Sequence, residues 1–170
     1  MQGKLRSRYQ VHKEVARNGY FEGDIALSKL NRLSEFLYPE KSDADRGVSL
    51  KFEFTRNEFD IPMIVGQLET CLELECQRCL GRMELPIEQD FRLMIDASDE
   101  LVRESSVDTL YSDDGYIDIV EVIEDELILA IPLVALHEDR SCNEHWRAST
   151  EESAAGENPF AVLRQLKTTD

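Results

Sequence analysis

Hydrophobic residues recur with a period of two in three stretches of this chain. Val48, Leu50, Phe52 and Phe54 alternate strictly with polar neighbours. Ile64, Leu68, Leu72, Leu74 and Cys76 share one phase, and Met83, Leu85, Ile87, Phe91, Leu93 and Ile95 share another after a six-residue gap. Side chains alternate faces along a strand, so each stretch predicts a half-buried β-strand, and the second and third form a long hairpin. Its tip is Cys76-Gln77-Arg78-Cys79-Leu80-Gly81-Arg82. The Val48 strand is expected to pair with the hairpin, giving an antiparallel sheet with one apolar face.

Elsewhere the period is helical. Leu30, Leu33, Phe36 and Leu37 predict a short helix with Ser28 capping its first turn, ended before Pro39. A second helix is predicted over 119–131, where Ile119, Val122, Ile123, Leu127, Ala130 and Ile131 share a face and Glu121, Glu124, Asp125 and Glu126 lie mostly off it. Pro132 stops it, and Leu133-Val134-Ala135-Leu136 continues as an extended apolar segment to His137. Between the hairpin and this helix, residues 96–116 form an acidic, turn-rich loop with Asp113-Asp114-Gly115 as its turn signal.

The expected architecture is α+β: an antiparallel sheet on a long central hairpin, covered by one or two helices, with a short C-terminal helix. Residues 1–142 make one domain, which includes over 1–20 a basic N-terminal arm or edge segment without a clean period. Residues 143–157, rich in Ser, Ala, Glu and Gly, read as an acidic, flexible linker. Asn158-Pro159 then reads as a cap with proline at the first helical position, and Phe160, Leu163 and Leu166 predict an amphipathic helix over 158–170.

Composition narrows the class. At 170 residues and 42% hydrophobic, the chain buries one core without metal or disulfide help. No run approaches the roughly 18 apolar residues of a membrane span, and the start Met1-Gln2-Gly3-Lys4-Leu5-Arg6 lacks the apolar block of a signal peptide, so a cytoplasmic location is expected. Charge is uneven: residues 1–35 hold seven Lys/Arg and four Asp/Glu, leaving 12 basic and 31 acidic for the remainder, which is +3 followed by −19. Such a body repels phosphate backbones and attracts basic proteins, although acidity also serves plain solubility.

In the cytosol, four cysteines point to thiols or metal ligands and not to disulfides. Cys76-x-x-Cys79 followed by Leu80-Gly81 has the form of a zinc knuckle, half of a tetrahedral site, with His137, Cys142 or His145 as candidates for the other half. Reduced thiols without metal are the alternative. Cys71, an odd number of residues from Cys76 on one strand, faces the opposite side of the sheet. Glu124-Asp125-Glu126 diverge by about 100 degrees per residue on a helix and cannot converge on one ion, so a solvated face is expected. Trp146 is either a partner anchor or locally packed. No phosphate loop, nucleophile elbow or His-Glu metal motif is present, and no enzyme is indicated.

Leu74-Glu75-Cys76-Gln77-Arg78-Cys79, Glu124 through Pro132, His137 with Cys142, and Asn158-Pro159-Phe160-Ala161-Val162-Leu163 together resemble the YceD family, in order and with similar gaps. Ile131-Pro132 stands where family members often have Leu-Pro, a change that keeps the position apolar. The resemblance implies a non-enzymatic role in accumulation of large-subunit ribosomal RNA, and it marks Cys76, Arg78, Cys79, Glu124, Asp125, Glu126, Pro132, His137, Cys142, Asn158, Pro159 and Phe160. Joined to the charge, it leads to an acidic escort for a basic large-subunit ribosomal protein, delivered to the precursor of the subunit. The expected partner contacts are Asp113, Asp114, Glu121, Glu124, Asp125 and Phe160. The alternative, direct rRNA binding in assembly or processing, would use Lys4, Arg6, Arg8, Lys13 and Arg17.

Overall fold

The computed structural model describes residues 5–39, 46–96 and 108–143. Strands β1 (Arg8–Gln10), β2 (Tyr20–Ala26), β3 (Gly47–Arg56), β4 (Pro62–Glu75), β5 (Arg82–Asp96), β6 (Thr109–Tyr111) and β7 (Tyr116–Asp118) are accompanied by helices α1 (Val11–Ala16) and α2 (Ile119–Ala130). The expected hairpin is β4–β5, in register from Met63↔Met94 to Glu75↔Arg82, and β3 lies beside it with Phe52 opposite Gly66. The five-stranded sheet runs β2-β3-β4-β5-β6. Its first four strands form an antiparallel meander, and β6 adds in parallel to the end of β5. The protein is thus α+β.

One sheet face is the core. Val48, Leu50, Phe52, Phe54, Ile64, Leu68, Leu72, Ile87 and Phe91 are all buried, against Ile119, Val122, Ile123 and Leu127 of α2. Asp118 caps α2 by accepting from the Val120 N–H at 2.9 Å, and the helix ends at Ala130, before Pro132. Gly66 is required where β4 crosses the densest part of the sheet. A Cβ there would lie 2.4 Å from the Phe91 ring and 2.6 Å from the Lys51 carbonyl oxygen.

From Arg8 onward, the segment expected as a basic arm is built into the fold. Tyr9 of β1 pairs opposite Ile117 of β7 and enters an aromatic cluster with Phe21 and Phe52, at centroid distances of 4.6 and 5.5 Å. Its cations are engaged as well. Arg6 and Arg17 both pair with buried Glu14, and Arg8 pairs with Asp114 and lies over the Tyr116 ring. Lys13 stands exposed on α1, and Lys4 lies outside the described residues.

The helix expected from Ser28 is a correction. Leu30 and Leu33 are buried as their spacing required, but the backbone makes only two short 3-10 turns, Leu27–Lys29 and Leu33–Glu35, and Ser28 caps neither. Leu30, at φ −98° and ψ 84°, leaves the helical region between them. The N–H groups of Arg32 and Leu33, which a continuous helix would direct to its own carbonyls, instead donate to the Glu124 carboxylate at 2.6 and 3.1 Å.

That contact also corrects the solvated face assigned to Glu124 and Glu126, and it removes Glu124 from the accessible partner contacts. Glu124 is 5% exposed and also accepts from the Arg32 guanidinium at 2.8 Å. Glu126 is buried on the other flank of α2 and accepts from the Gln89 amide at 2.8 Å. Only Asp125 of the three is exposed, paired with Arg32. The linker and C-terminal helix expected over 143–170 lie outside the described residues, apart from Asn143.

Candidate metal centre

Two elements meet at the far end of the hairpin. Cys76 leaves β4 into a tight turn in which its N–H donates to the Gly81 carbonyl at 2.9 Å and the Leu80 N–H donates to the Cys76 carbonyl at 2.8 Å. Leu80 takes the left-handed conformation, φ 60°, that lets the knuckle close. The segment following α2 is laced onto this turn: the Gln77 N–H donates to the Ala135 carbonyl at 2.9 Å, and Arg78 donates to the carbonyls of His137 and Asp139 at 2.7 and 3.2 Å. A 3-10 turn, Arg140–Asn143, then presents Cys142.

The result is one cluster. Cys76, Cys79, His137 and Cys142 each offer a ligand atom, and these atoms lie within 4.8 Å of one another. Cys71 on the opposite sheet face does not join it, and His145 lies outside the described residues. Cys76 is fully buried, and the other three are partly so.

The electrostatics suit a cation. Burial pushes the Cys76 thiol up, but N–H groups of His137, Cys79 and Arg78 converge on it and the Cys79 thiol adds to them, holding it down to about 5. It is a thiolate at neutral pH, the form that binds metal. Cys142 is pushed up by burial and by the Cys79 thiol beside it, so a metal would have to displace its proton. His137 is oriented for the same task. Its Nε2 lies 3.0 Å from the Arg82 carbonyl oxygen, an acceptor only, so Nε2 carries the hydrogen and the Nδ1 lone pair faces Cys79 Sγ at 3.4 Å. A carbonyl on the far ring nitrogen is the usual way the ring of a ligating histidine is held in place. Three thiols and one imidazole in this compass match the donor set of a closed structural zinc site.

The C-x-x-C spacing and the position of His137 and Cys142 beyond the helix indicate the four residues that cluster here, with His145 as a further candidate. The supporting groups, Gln77, the carbonyl of Arg82 and the carbonyl of Ala135, had no sequence signal, because backbone acceptors are identical at every position. Of the acidic residues expected to meet a partner, Asp113, Asp114, Glu121 and Asp125 are exposed, with Asp114 and Asp125 held by Arg8 and Arg32. Phe160 lies outside the described residues.

No helix among the described residues is long and apolar enough to cross a membrane. The chain is 32% identical over 164 residues, 91% of either sequence, to a protein of Haemophilus influenzae named large ribosomal RNA subunit accumulation protein YceD. No solved structure shows significant similarity to it. The family model described as large ribosomal RNA subunit accumulation protein YceD matches residues 64–167, which takes in all four residues of the Cys/His cluster. By that match and that identity, the chain belongs to the YceD family.

Proposed function

We propose that this protein acts in the cytoplasm as a non-catalytic factor in accumulation of large-subunit rRNA, the role for which its relatives are named, by escorting a basic ribosomal protein to the precursor of the large subunit. The observation that carries the reading is the solvent face of the sheet. Asp24, Ser49, Glu69 and Glu88 form one cross-strand row, with Glu69 directly opposite Glu88. Like charges directly opposed on neighbouring strands destabilise a sheet, so this row is kept against a cost in stability. It lines a groove of about 970 Å³ with Ala26, Gly47, Thr70, Pro86, Ile87 and one cation, Arg46, which is paired with Glu73 and Glu84. Cationic chains from a ribosomal protein match such a surface, whereas nucleic-acid phosphates are repelled by it. The arginines that an RNA-binding arm would need, Arg6, Arg8 and Arg17, are paired with Glu14 and Asp114.

In the same reading Cys76, Cys79, Cys142 and Nδ1 of His137 are the ligands of a zinc ion. When bound, it would cross-link the hairpin tip to the segment after α2 and leave no open coordination position for catalysis.

Capture of partners from lysate with and without nuclease tests the escort. A basic large-subunit ribosomal protein is expected in both, released by moderate salt, and the combined Glu69→Lys and Glu88→Lys substitutions abolish its capture without unfolding the sheet. Recovery that requires intact RNA, and that survives these reversals, overturns the reading.

A further inference from the structure

The C-terminal end of α2 carries a surface that nothing among the described residues covers. Leu129 is 77% exposed and Leu133 97%, and Val134, Leu136 and the knuckle residue Leu80 stand exposed around them. These are five of the ten large apolar side chains that are exposed among the described residues, gathered at one end of the molecule. A concentration of this kind marks an interaction site more than chance exposure does. Toward the other end of α2 the same outward line turns acidic. Glu121, Asp125 and Leu129 follow one another at intervals of four residues, so they form one ridge with two carboxylates at its start and the leucines at its end.

We propose that residues 158–170 dock on this ridge as a helix antiparallel to α2. Three observations select that occupant. The first is the point of exit: the described chain ends at Asn143, one residue after Cys142, whose thiol sits against His137 beside Leu136. The next segment therefore sets out from the apolar end of the ridge. Fourteen residues, 144–157, separate it from Asn158 and reach at most about 46 to 50 Å, ample for the return. The second is the pattern. Phe160, Leu163, Arg164 and Lys167 fall on one helical face, apolar first and basic afterwards, the reverse of the order along α2. Laid antiparallel, Phe160 meets Leu129 at the end nearer Leu133, Arg164 meets Asp125, and Lys167 meets Glu121. The lengths agree, since Glu121 to Leu129 spans about 12 Å of helix and Phe160 to Lys167 about 10.5 Å. The third is the extent of the family match, which runs through this segment to residue 167 and so includes it with the body.

Amide hydrogen exchange on the full-length chain tests the proposal. The amides of 160–167 are expected to be protected, equally so on dilution. In the Leu129→Ser, Leu133→Ser double variant that protection falls about tenfold or more, as two leucine contacts disappear, while the amides of β4 and β5 exchange as before. Both leucines are solvent-exposed, so the variant keeps its core. Glu121→Lys and Lys167→Glu each weaken protection, and the two together restore it. Unprotected amides in the unmodified chain, or protection that survives the double variant, overturn the docking. Protection that declines with dilution assigns the ridge to a second copy, and protection gained only with a basic ribosomal protein assigns it to that partner; either result overturns it as well.

Discussion

Replacing Glu124 tests whether a single buried carboxylate organises the segment between β2 and β3. Its oxygens accept from the N–H groups of Arg32 and Leu33 at 2.6 and 3.1 Å and from the Arg32 guanidinium at 2.8 Å. Glu124→Ala strands two backbone donors beside Leu33, which is fully buried. A buried donor left without a partner costs about 1–3 kcal/mol. Arg32 has a side chain 52% exposed, so loss of the ion pair itself adds no more than about 1 kcal/mol. With two such donors the total expected is about 2–7 kcal/mol. Asp125→Ala, one residue away, removes a pair with the same arginine that is exposed on both sides, and it should cost less than about 0.5 kcal/mol. Acid sharpens the comparison. Burial pushes the Glu124 carboxyl up, but the Arg32 side chain and the N–H groups of Leu33 and Arg32 outweigh it and hold the group below its ordinary value of 4.5. A depressed carboxyl stabilises the fold above its unfolded pKa and loses that contribution as pH falls through the folded one. The deficit of Glu124→Ala should accordingly be full at neutral pH and shrink below pH 4.5. Urea unfolding of both variants at neutral and acidic pH measures this. Equal stability of the two variants at neutral pH would refute the reasoning.

Glu126 should behave with the opposite sign. Burial holds its carboxyl above the ordinary value despite the Gln89 amide, so Glu126→Gln should raise stability at neutral pH, and that gain should fade as pH falls through the raised folded value and be gone below 4.5. Gly66→Ala drives a methyl against the Lys51 carbonyl, a backbone atom that cannot turn aside, and should cost about 1–3 kcal/mol in urea unfolding without shifting the Cys/His cluster. Protein purified without chelator should carry one zinc per chain by native mass spectrometry, and Cys79→Ser or His137→Ala should lower that occupancy sharply. Loss of the metal should raise hydrogen exchange in 131–143 and leave β3 and β4 protected, because that segment is otherwise tied to the knuckle by a few hydrogen bonds worth about 0.5–1.5 kcal/mol each.

What was legible in the sequence follows from the range of the interactions responsible. The strands β3, β4 and β5 each repeat an apolar position four times or more, and a slip of one residue would turn all of them to solvent, so pattern alone specifies them. Strands β1, β6 and β7 have three residues each and repeat nothing, so their pairing was invisible, including the parallel addition of β6. The cysteines were legible for a different reason. Their chemistry needs no neighbour to announce it, and a hairpin tip and a helix end on the same sheet left few places for the two halves to be. The segment from Ser28 failed because its burial was local but its hydrogen bonding was not: Leu30 and Leu33 pack as a helix would, while Arg32 and Leu33 take their acceptor from a residue 91 or 92 positions away.

The same long-range pairing also decides where the charges sit. Glu14, Glu73 and Glu124 are interior groups. Five arginines are engaged by these three carboxylates: Arg6 and Arg17 by Glu14, Arg46 and Arg82 by Glu73, and Arg32 by Glu124. More cations than carboxylates are therefore committed within the fold. Each of these arginines keeps 32–57% of its side chain exposed while the three carboxylates are 0–7% exposed, so it is the acids and not the guanidinium groups that leave the surface. A net charge read from composition treats every side chain as equally exposed. Here the fold sorts them by sign, holding guanidinium groups against buried acids and leaving Asp24, Glu69 and Glu88 in the open row across the sheet. Sorting of that kind gives each of these arginines a carboxylate partner, so a phosphate at any of them would have to compete with an ion pair already made.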